Sequence, residues 1–295
     1  MNARRLLTRL AQAVAIGLVV GFALAALIGP GTNWWLKDSD AYWNAALRLR
    51  AGEALYPHLA NVEDPEIYRY SPWFAVLWVP LTFVPHDVVR VGWGAVLVIA
   101  ALACVWPSLQ ARSLAGLLVA VLMGAVLIRT ASSGNVQPLM LAALVWGVER
   151  RSGPLWIAAA ASLKAVPLLY VAVYVVRRQW WRVAWTLILT LALVAPVLLF
   201  DVRNYPFEAG SLVEAPFVPP WSWLVVAAAL GATWWLRSSP KAWIAASAAV
   251  LFALPRWVPY FPTWFLVGTD TTKTTIPESP TVMNTLRLGN VSSER

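Results

Sequence analysis

Two aspartates, Asp38 and Asp40, stand two residues apart where a long apolar run gives way to a polar island, which continues to Tyr68-Arg69-Tyr70-Ser71-Pro72. A carboxylate beside a bilayer is costly to hold dry, so it tends to face a hydrated cavity and to do chemistry there. Either aspartate could accept the proton of an attacking hydroxyl; ordinary charges on a wet loop are the plainer reading of the spacing. Arg69 carries the planar fork that grips a phosphate at two points, or it snorkels at an interface. Lys164 has apolar neighbours on both sides. A lysine at a helix centre costs about 2.5–3.5 kcal/mol on insertion scales, so an anionic partner is expected, either a ligand or an intramembrane ion pair. Arg129 and Ser132-Ser133-Gly134-Asn135-Val136-Gln137 form a polar turn between apolar spans. Gly134 allows a tight backbone there, and Asn135 can bond a ligand or simply cap the turn. Arg256, beside Tyr260, is a further candidate cation, and His58 and His86 read as solvated loop histidines. Two histidines and one cysteine do not suggest a structural zinc site.

The elements that must position these residues are membrane helices. Of 295 residues, 60% are hydrophobic and 13% charged, against about 25% charged in soluble domains. Residues 10–36, 91–111, 113–128, 183–200 and 215–236 are free of charge, and about 20 apolar residues cross a hydrocarbon core. They do not alternate as barrel strands would. The net charge of +9 lies largely in arginines at the ends of these runs (Arg4, Arg5, Arg9, Arg150, Arg151, Arg177, Arg178, Arg182). That is the positive-inside pattern rather than a nucleic-acid patch. The expected fold is an all-α polytopic membrane protein with a retained first helix, a cytoplasmic N-terminus, and Trp34 and Trp35 anchored at the outer face. Residues 41–51 read as an amphipathic helix lying on that surface.

Residues 72–84 are apolar but short. If they dip rather than span, the turn at Ser133-Gly134-Asn135 lies at the same face as Asp38, which is the preferred reading. Spans follow at 91–107, 113–128 and 136–148. Residues 152–163 and 165–176 are each near half a membrane thick and flanked by arginine pairs. They read as a hairpin with Lys164 at an outer turn, in preference to one helix with a buried lysine. Residues 183–200 return outward, 201–220 form a second outer loop, and 242–254 and 257–268 are short apolar segments. A membrane domain over 1–268 is thus followed by a polar tail, 269–295, expected to be disordered, in which Asn290-Val291-Ser292 matches a glycosylation sequon. The chain lacks a nucleotide-binding motif, so a sugar donor would arrive through the lipid.

The order of the motifs resembles glycosyltransferase family eighty-seven. Asp38-Ser39-Asp40-Ala41-Tyr42-Trp43-Asn44-Ala45-Ala46 and Gly52-Glu53-Ala54-Leu55-Tyr56 resemble its first outer loop. Tyr68-Arg69-Tyr70-Ser71-Pro72-Trp73-Phe74-Ala75 with Pro80-Leu81 and Pro85, the Gly134-Asn135 turn with Leu139 and Leu141, and Leu163-Lys164-Ala165-Val166-Pro167-Leu168-Leu169 resemble its next three segments. The resemblance implies a GT-C-like bundle of roughly 8–11 transmembrane or half-membrane helices in the plasma membrane, with its active site on the outer face. It implies transfer of a sugar, mannose by family habit, from a polyprenyl-phosphate donor to a lipid or glycan acceptor, with inversion. Asp38, matched through its spacing to Tyr42, would be the base, with Asp40 the runner-up. Tyr42, Arg69, Tyr70, Arg129, Asn135, Gln137, Lys164 and Arg256 are the candidate substrate-binding residues. The lipid-linked sugar is a substrate, and neither a cofactor nor a metal is expected. The turn departs from the family: it reads Gly-Asn-Val-Gln where many relatives have Gly-Gln-x-Asn. The chain is also shorter than the usual relative. A transporter or flippase of lipid-linked saccharides, and a shortened inactive relative, are the alternative readings.

Overall fold

The computed structural model describes residues 3–28, 35–57, 67–110, 113–205, 221–254 and 258–269. They are helical, with no strand among the described residues. Helix α1 (Ala3–Ile28) runs the length of a bundle. At one end lie α2 (Lys37–Ala51), α3 (Pro72–Trp78) and a 3-10 turn over Val79–Phe83. Helix α4 (His86–Gln110) leaves this end, α5 (Leu114–Ser132) returns to it, and α6 (Gln137–Gly147) leaves again. Helix α7 (Gly153–Leu163) comes back, and the chain then leaves through a 3-10 turn over Val166–Tyr170 and α8 (Val171–Val176). Helix α9 (Trp180–Val194) returns with a 3-10 extension over Ala195–Leu199. Helix α10 (Trp221–Trp235) leaves, α11 (Lys241–Phe252) returns, and a last 3-10 segment, Phe261–Leu266, leaves.

Leu6–Ala26, α4, α5 and Trp180–Leu199 are long and apolar enough to cross a membrane. Their outward faces carry large exposed apolar side chains, among them Leu18, Ile99, Leu118, Leu122 and Leu191. Exposed Trp180, Trp181, Trp234 and Trp235 ring one end, and Trp221 and Trp223 mark the other, as an aromatic belt requires. The chain is a polytopic helical membrane protein.

Local chemistry sets the helix ends. Ser113 caps α5 by accepting the Gly116 amide at 3.2 Å. Pro138 and Pro154 stand in the first turns of α6 and α7, where a missing N–H costs nothing. Lys164 is extended (φ −141°, ψ 114°) and ends α7. Tyr174 of α8 then bonds the carbonyl of Val148, and a Cβ at Gly153 would collide with its hydroxyl. A residue just before α7 and one at the end of α8 therefore meet, so the pair is a hairpin with Lys164 at its turn, as the flanking arginines predict. That hairpin end also holds α3: Ser71 Oγ bonds the Ser162 carbonyl, and Trp73 Nε1 bonds Ser162 Oγ at 3.1 Å. Pro72–Phe83 stays at this end and does not span.

Two cores result. The larger packs α1, α4–α8, α11 and the last 3-10 segment around side chains such as Leu97, Leu127, Leu141, Tyr170 and Trp264. The smaller is an aromatic cap in which Tyr42, Tyr56, Tyr68, Phe74 and Trp78 join α2 to α3. At the end remote from the cap, Glu149 clamps three elements. It accepts from Arg177 at 2.7 Å and from Trp243 Nε1, while Arg177 also bonds the carbonyls of Arg237 (2.9 Å) and Ser239 (3.0 Å).

Two local expectations change. The amphipathic helix begins at Lys37 rather than at 41, so Asp38 lies on a helix and not in a loop. Acids in a first turn complement the helix dipole, and carbonyls of the α5–α6 turn receive the helix's first amides. His86 is also more than a solvated loop histidine: its ring lies 4.6 Å from that of Trp43, and its Nε2 is 3.2 Å from Asp40. Arg256, His58 and the tail from 270 onward lie outside the described residues.

Candidate active site

The start of α2 is locked onto the α5–α6 turn by the backbone. Leu36 N donates to Ser132 O at 2.8 Å and Asp38 N to Ser133 O at 2.9 Å. Gly134 sits at φ +84°, and a Cβ there would lie 2.8 Å from the Ser39 amide nitrogen and 3.1 Å from the Leu36 carbonyl oxygen. Only glycine combines that dihedral with so close an approach. Trp93 Nε1 closes the turn by donating to Gly134 O at 2.9 Å.

This clamp aims Asp38 into a hollow of about 250 Å³ whose polar lining is Asp38, Tyr42, Arg69, Tyr70, Asn135, Lys164 and Tyr260. Ile67, Leu163, Leu254 and Phe261 supply apolar walls. Asn135 Nδ2 donates to Asp38 Oδ2 at 2.7 Å. The Asn135 amide cannot turn over without loss, because its Oδ1 accepts the Gln137 amide at 2.9 Å. One carboxylate oxygen of Asp38 is thereby held and the other is left for a proton. Burial raises the Asp38 pKa above its ordinary value; the Asn135 bond and the charges of Lys164 and Arg69 oppose the rise without cancelling it.

Two cations face this carboxylate. Lys164 Nζ donates to Gln137 Oε1 at 3.0 Å and to the Tyr260 hydroxyl at 3.4 Å, and sits 5.0 Å from the Tyr260 ring centroid. Arg69 stands in the loop before α3, its carbonyl bonded by the Tyr205 hydroxyl at 2.9 Å. Tyr42 is fully buried. Its oxygen accepts the Val136 amide at 3.2 Å and reaches the Tyr70 hydroxyl at 3.4 Å. Tyr70 forms the next part of the wall, and burial foremost raises the pKa of both phenols, so both stay neutral donors.

The structure therefore gathers Asp38, Tyr42, Arg69, Tyr70, Asn135 and Lys164 around one hollow, with Gln137 behind Lys164. Asp40 does not line it. Its Oδ1 lies 3.2 Å from His86 Nε2 and 3.4 Å from Arg90 Nε, on the α4 side of α2. Arg129 lies in a neighbouring hollow of about 360 Å³, with Tyr260 lining both. Tyr260 is the main residue that sequence reasoning passes over as a site residue. Its only signal is an aromatic next to Pro259, near the start of the short apolar segment 257–268.

The family model for glycosyltransferase family 87 matches residues 68–261, well over half of the chain. The chain belongs to glycosyltransferase family 87. It is a membrane glycosyltransferase by that membership and by its apolar helices. The match covers Arg69, Tyr70, Arg129, Asn135, Gln137 and Lys164 but starts after Asp38 and Tyr42. Direct hydrogen bonds join these last two to the family segment, through Asn135 and Val136. No curated protein and no solved structure matches the chain.

Proposed function

We propose that this member of glycosyltransferase family 87 moves a sugar from a polyprenyl-phosphate donor to a hydroxyl of a lipid or glycan acceptor, with inversion, and that Asp38 is the general base. The observation carrying this reading is the meeting of one poised carboxylate, Asp38, with Lys164 and Arg69 around a single hollow. The acceptor O–H gives its proton to the free oxygen of Asp38 as its oxygen attacks the anomeric carbon. The bond from that carbon to the phosphate oxygen breaks on the opposite side, and its electron pair leaves with the polyprenyl phosphate. One displacement inverts the centre. Lys164 and Arg69 meet the charge that grows on the departing phosphate, which is where fixed cations lower a barrier most. The neutral Tyr70 offers its hydroxyl to the sugar, and Tyr42, buried behind it, holds that hydroxyl at 3.4 Å.

The site is assigned to the outer face of the plasma membrane. The remote end gathers Arg150, Arg151, Arg177, Arg178, Arg182 and Arg237 around the single acid Glu149 among the described residues, and loops rich in arginine stay in the cytoplasm. The deciding assay supplies membranes with labelled polyprenyl-phosphate mannose and compares wild type with Asp38→Asn. Transfer of label by the wild type and its loss in the variant support the reading. Full transfer by Asp38→Asn overturns it.

A further inference from the structure

We infer that Tyr205, in the segment that follows α9, is a positioning residue for the phosphate end of the donor: its hydroxyl pins the main chain of Arg69 and so fixes where that guanidinium stands in the hollow. The bearing on the donor rests on reading the Asp38 hollow as the transfer site; the hold on the main chain does not.

Residues 67–71 reach the hollow in neither helix nor strand. Ile67, Arg69 and Tyr70 all line it, although an extended segment sends neighbouring side chains to opposite sides. The backbone has to bend to turn Arg69 and Tyr70 inward together, and carbonyls outside regular structure still need donors. Phenols supply them. Tyr205 Oη donates to Arg69 O at 2.9 Å, Tyr56 Oη to Tyr70 O at 2.8 Å and Tyr68 Oη to Ser71 O at 2.6 Å. Three consecutive carbonyls are thus gripped by three tyrosines. Tyr205 is the one of the three that reaches Arg69, and it comes from 136 positions along the chain.

The segment that brings Tyr205 is itself braced. Asp201 Oδ1 accepts the Arg203 amide at 3.1 Å and the Arg203 Nε at 2.9 Å, and the Tyr205 amide donates to Val202 O at 3.0 Å. Phe200, Val202 and Tyr205 pack on the aromatic cap, where the Tyr205 ring meets that of Tyr56 edge-on at 5.0 Å. The phenol therefore arrives from a fixed direction at the end of a membrane helix.

The other end of the gripped segment is tied to the second cation. Ser71 Oγ bonds the Ser162 carbonyl, two residues before Lys164. Ser71 thus sets the spacing of the two cations, and Tyr205 sets the side from which Arg69 enters. A guanidinium meets a phosphate through two parallel hydrogen bonds, a geometry that drift of its backbone spoils; the ammonium of Lys164 is a point charge and less demanding.

The test is a double-mutant cycle on the full chain in phosphatidylcholine nanodiscs, with labelled polyprenyl-phosphate mannose as the ligand and no acceptor added. A dissociation constant does not depend on how much of a variant is folded. Tyr205→Phe keeps the ring and should weaken binding about tenfold, the scale of one charge-assisted hydrogen bond. In the Arg69→Gln chain the same change should cost less than about twofold, because its effect passes through Arg69. Polyprenyl phosphate without its sugar should show the same coupling. Equal affinity of Tyr205→Phe and wild type overturns the inference. So does an equal loss in both backgrounds, which marks a general loosening of the cap, and so does a coupling seen only with the sugar present, which moves the contact to Tyr70. Limited trypsin digestion supplies a measurement free of ligand, since the Arg69–Tyr70 bond carries the carbonyl that Tyr205 holds and cleavage requires local opening. Cutting there should quicken about tenfold in Tyr205→Phe, and an unchanged rate overturns the hold. Quickened cutting in a chain that binds neither lipid keeps the hold and sinks the donor reading.

Discussion

At the scale of the residue, Asp38 is a group held against its preference. Its raised pKa means that the folded chain binds the proton more tightly than the unfolded chain does. Ionising it therefore costs stability as pH rises from the ordinary aspartate value of about 3.9. Asp38→Asn should lower transfer by about 10²–10⁴-fold, the usual worth of a general base, while its melting temperature in detergent at neutral pH stays equal or rises. A base must be ionised to act, so transfer should fall as pH drops through the raised value, and this acid limb should lie above that of a solvent-exposed aspartate. Replacing the held neighbour, Asn135→Asp, exchanges a donor for a like charge. A pH–rate profile should then show the acid limb moved to still higher pH. Asp38, Arg69 and Lys164 were legible in the sequence because charge is conspicuous in a greasy chain. Asp38 was preferred to Asp40 only through the family's spacing to Tyr42; the physical reason, that residues two apart point to different sides of a helix, appears only once the helix is known to begin before both. Tyr260 was hidden because aromatics near an interface are common and need no ligand to explain them.

Among the elements, the 132–136 turn matters most, because it sets the start of α2 and so the aim of Asp38. Gly134→Ala puts a Cβ among the Leu36 and Ser39 backbone atoms at a positive φ, a strain of about 1–3 kcal/mol. Thermal melting should fall accordingly, and transfer should fall further than the loss of folded protein accounts for, since the carboxylate is displaced with the helix. The α7–α8 hairpin was the preferred reading in advance because arginine pairs at both outer ends disfavour a single crossing. The place of Pro72–Phe83 was not, because hydropathy treats a segment that dips and one that crosses thinly alike. What decides it is a set of hydrogen bonds to Ser162, ninety residues away along the chain, that no local pattern announces.

For the whole molecule, the charge asymmetry between the two ends makes the orientation testable. The lone Cys104 is buried, so the wild type should be silent to maleimides. Asp87→Cys, exposed at the start of α4, should react with a membrane-impermeant maleimide on intact cells, and Arg151→Cys only after lysis. The opposite pattern would place the site in the cytoplasm. The short central helices carry a separate consequence. Helices α6 and α7 have 11 residues each, about 16 Å at 1.5 Å per residue, whereas a hydrocarbon core is about 30 Å thick. Where Leu139, Leu155 and Trp156 of these mostly buried helices face outward, a bilayer beside them has to thin, or headgroups and water have to sink, and either deformation carries a cost per ångström of mismatch. Turnover in nanodiscs should consequently depend on acyl-chain length, falling as longer chains thicken the film, so that the surrounding lipid acts as a mechanical load on the enzyme.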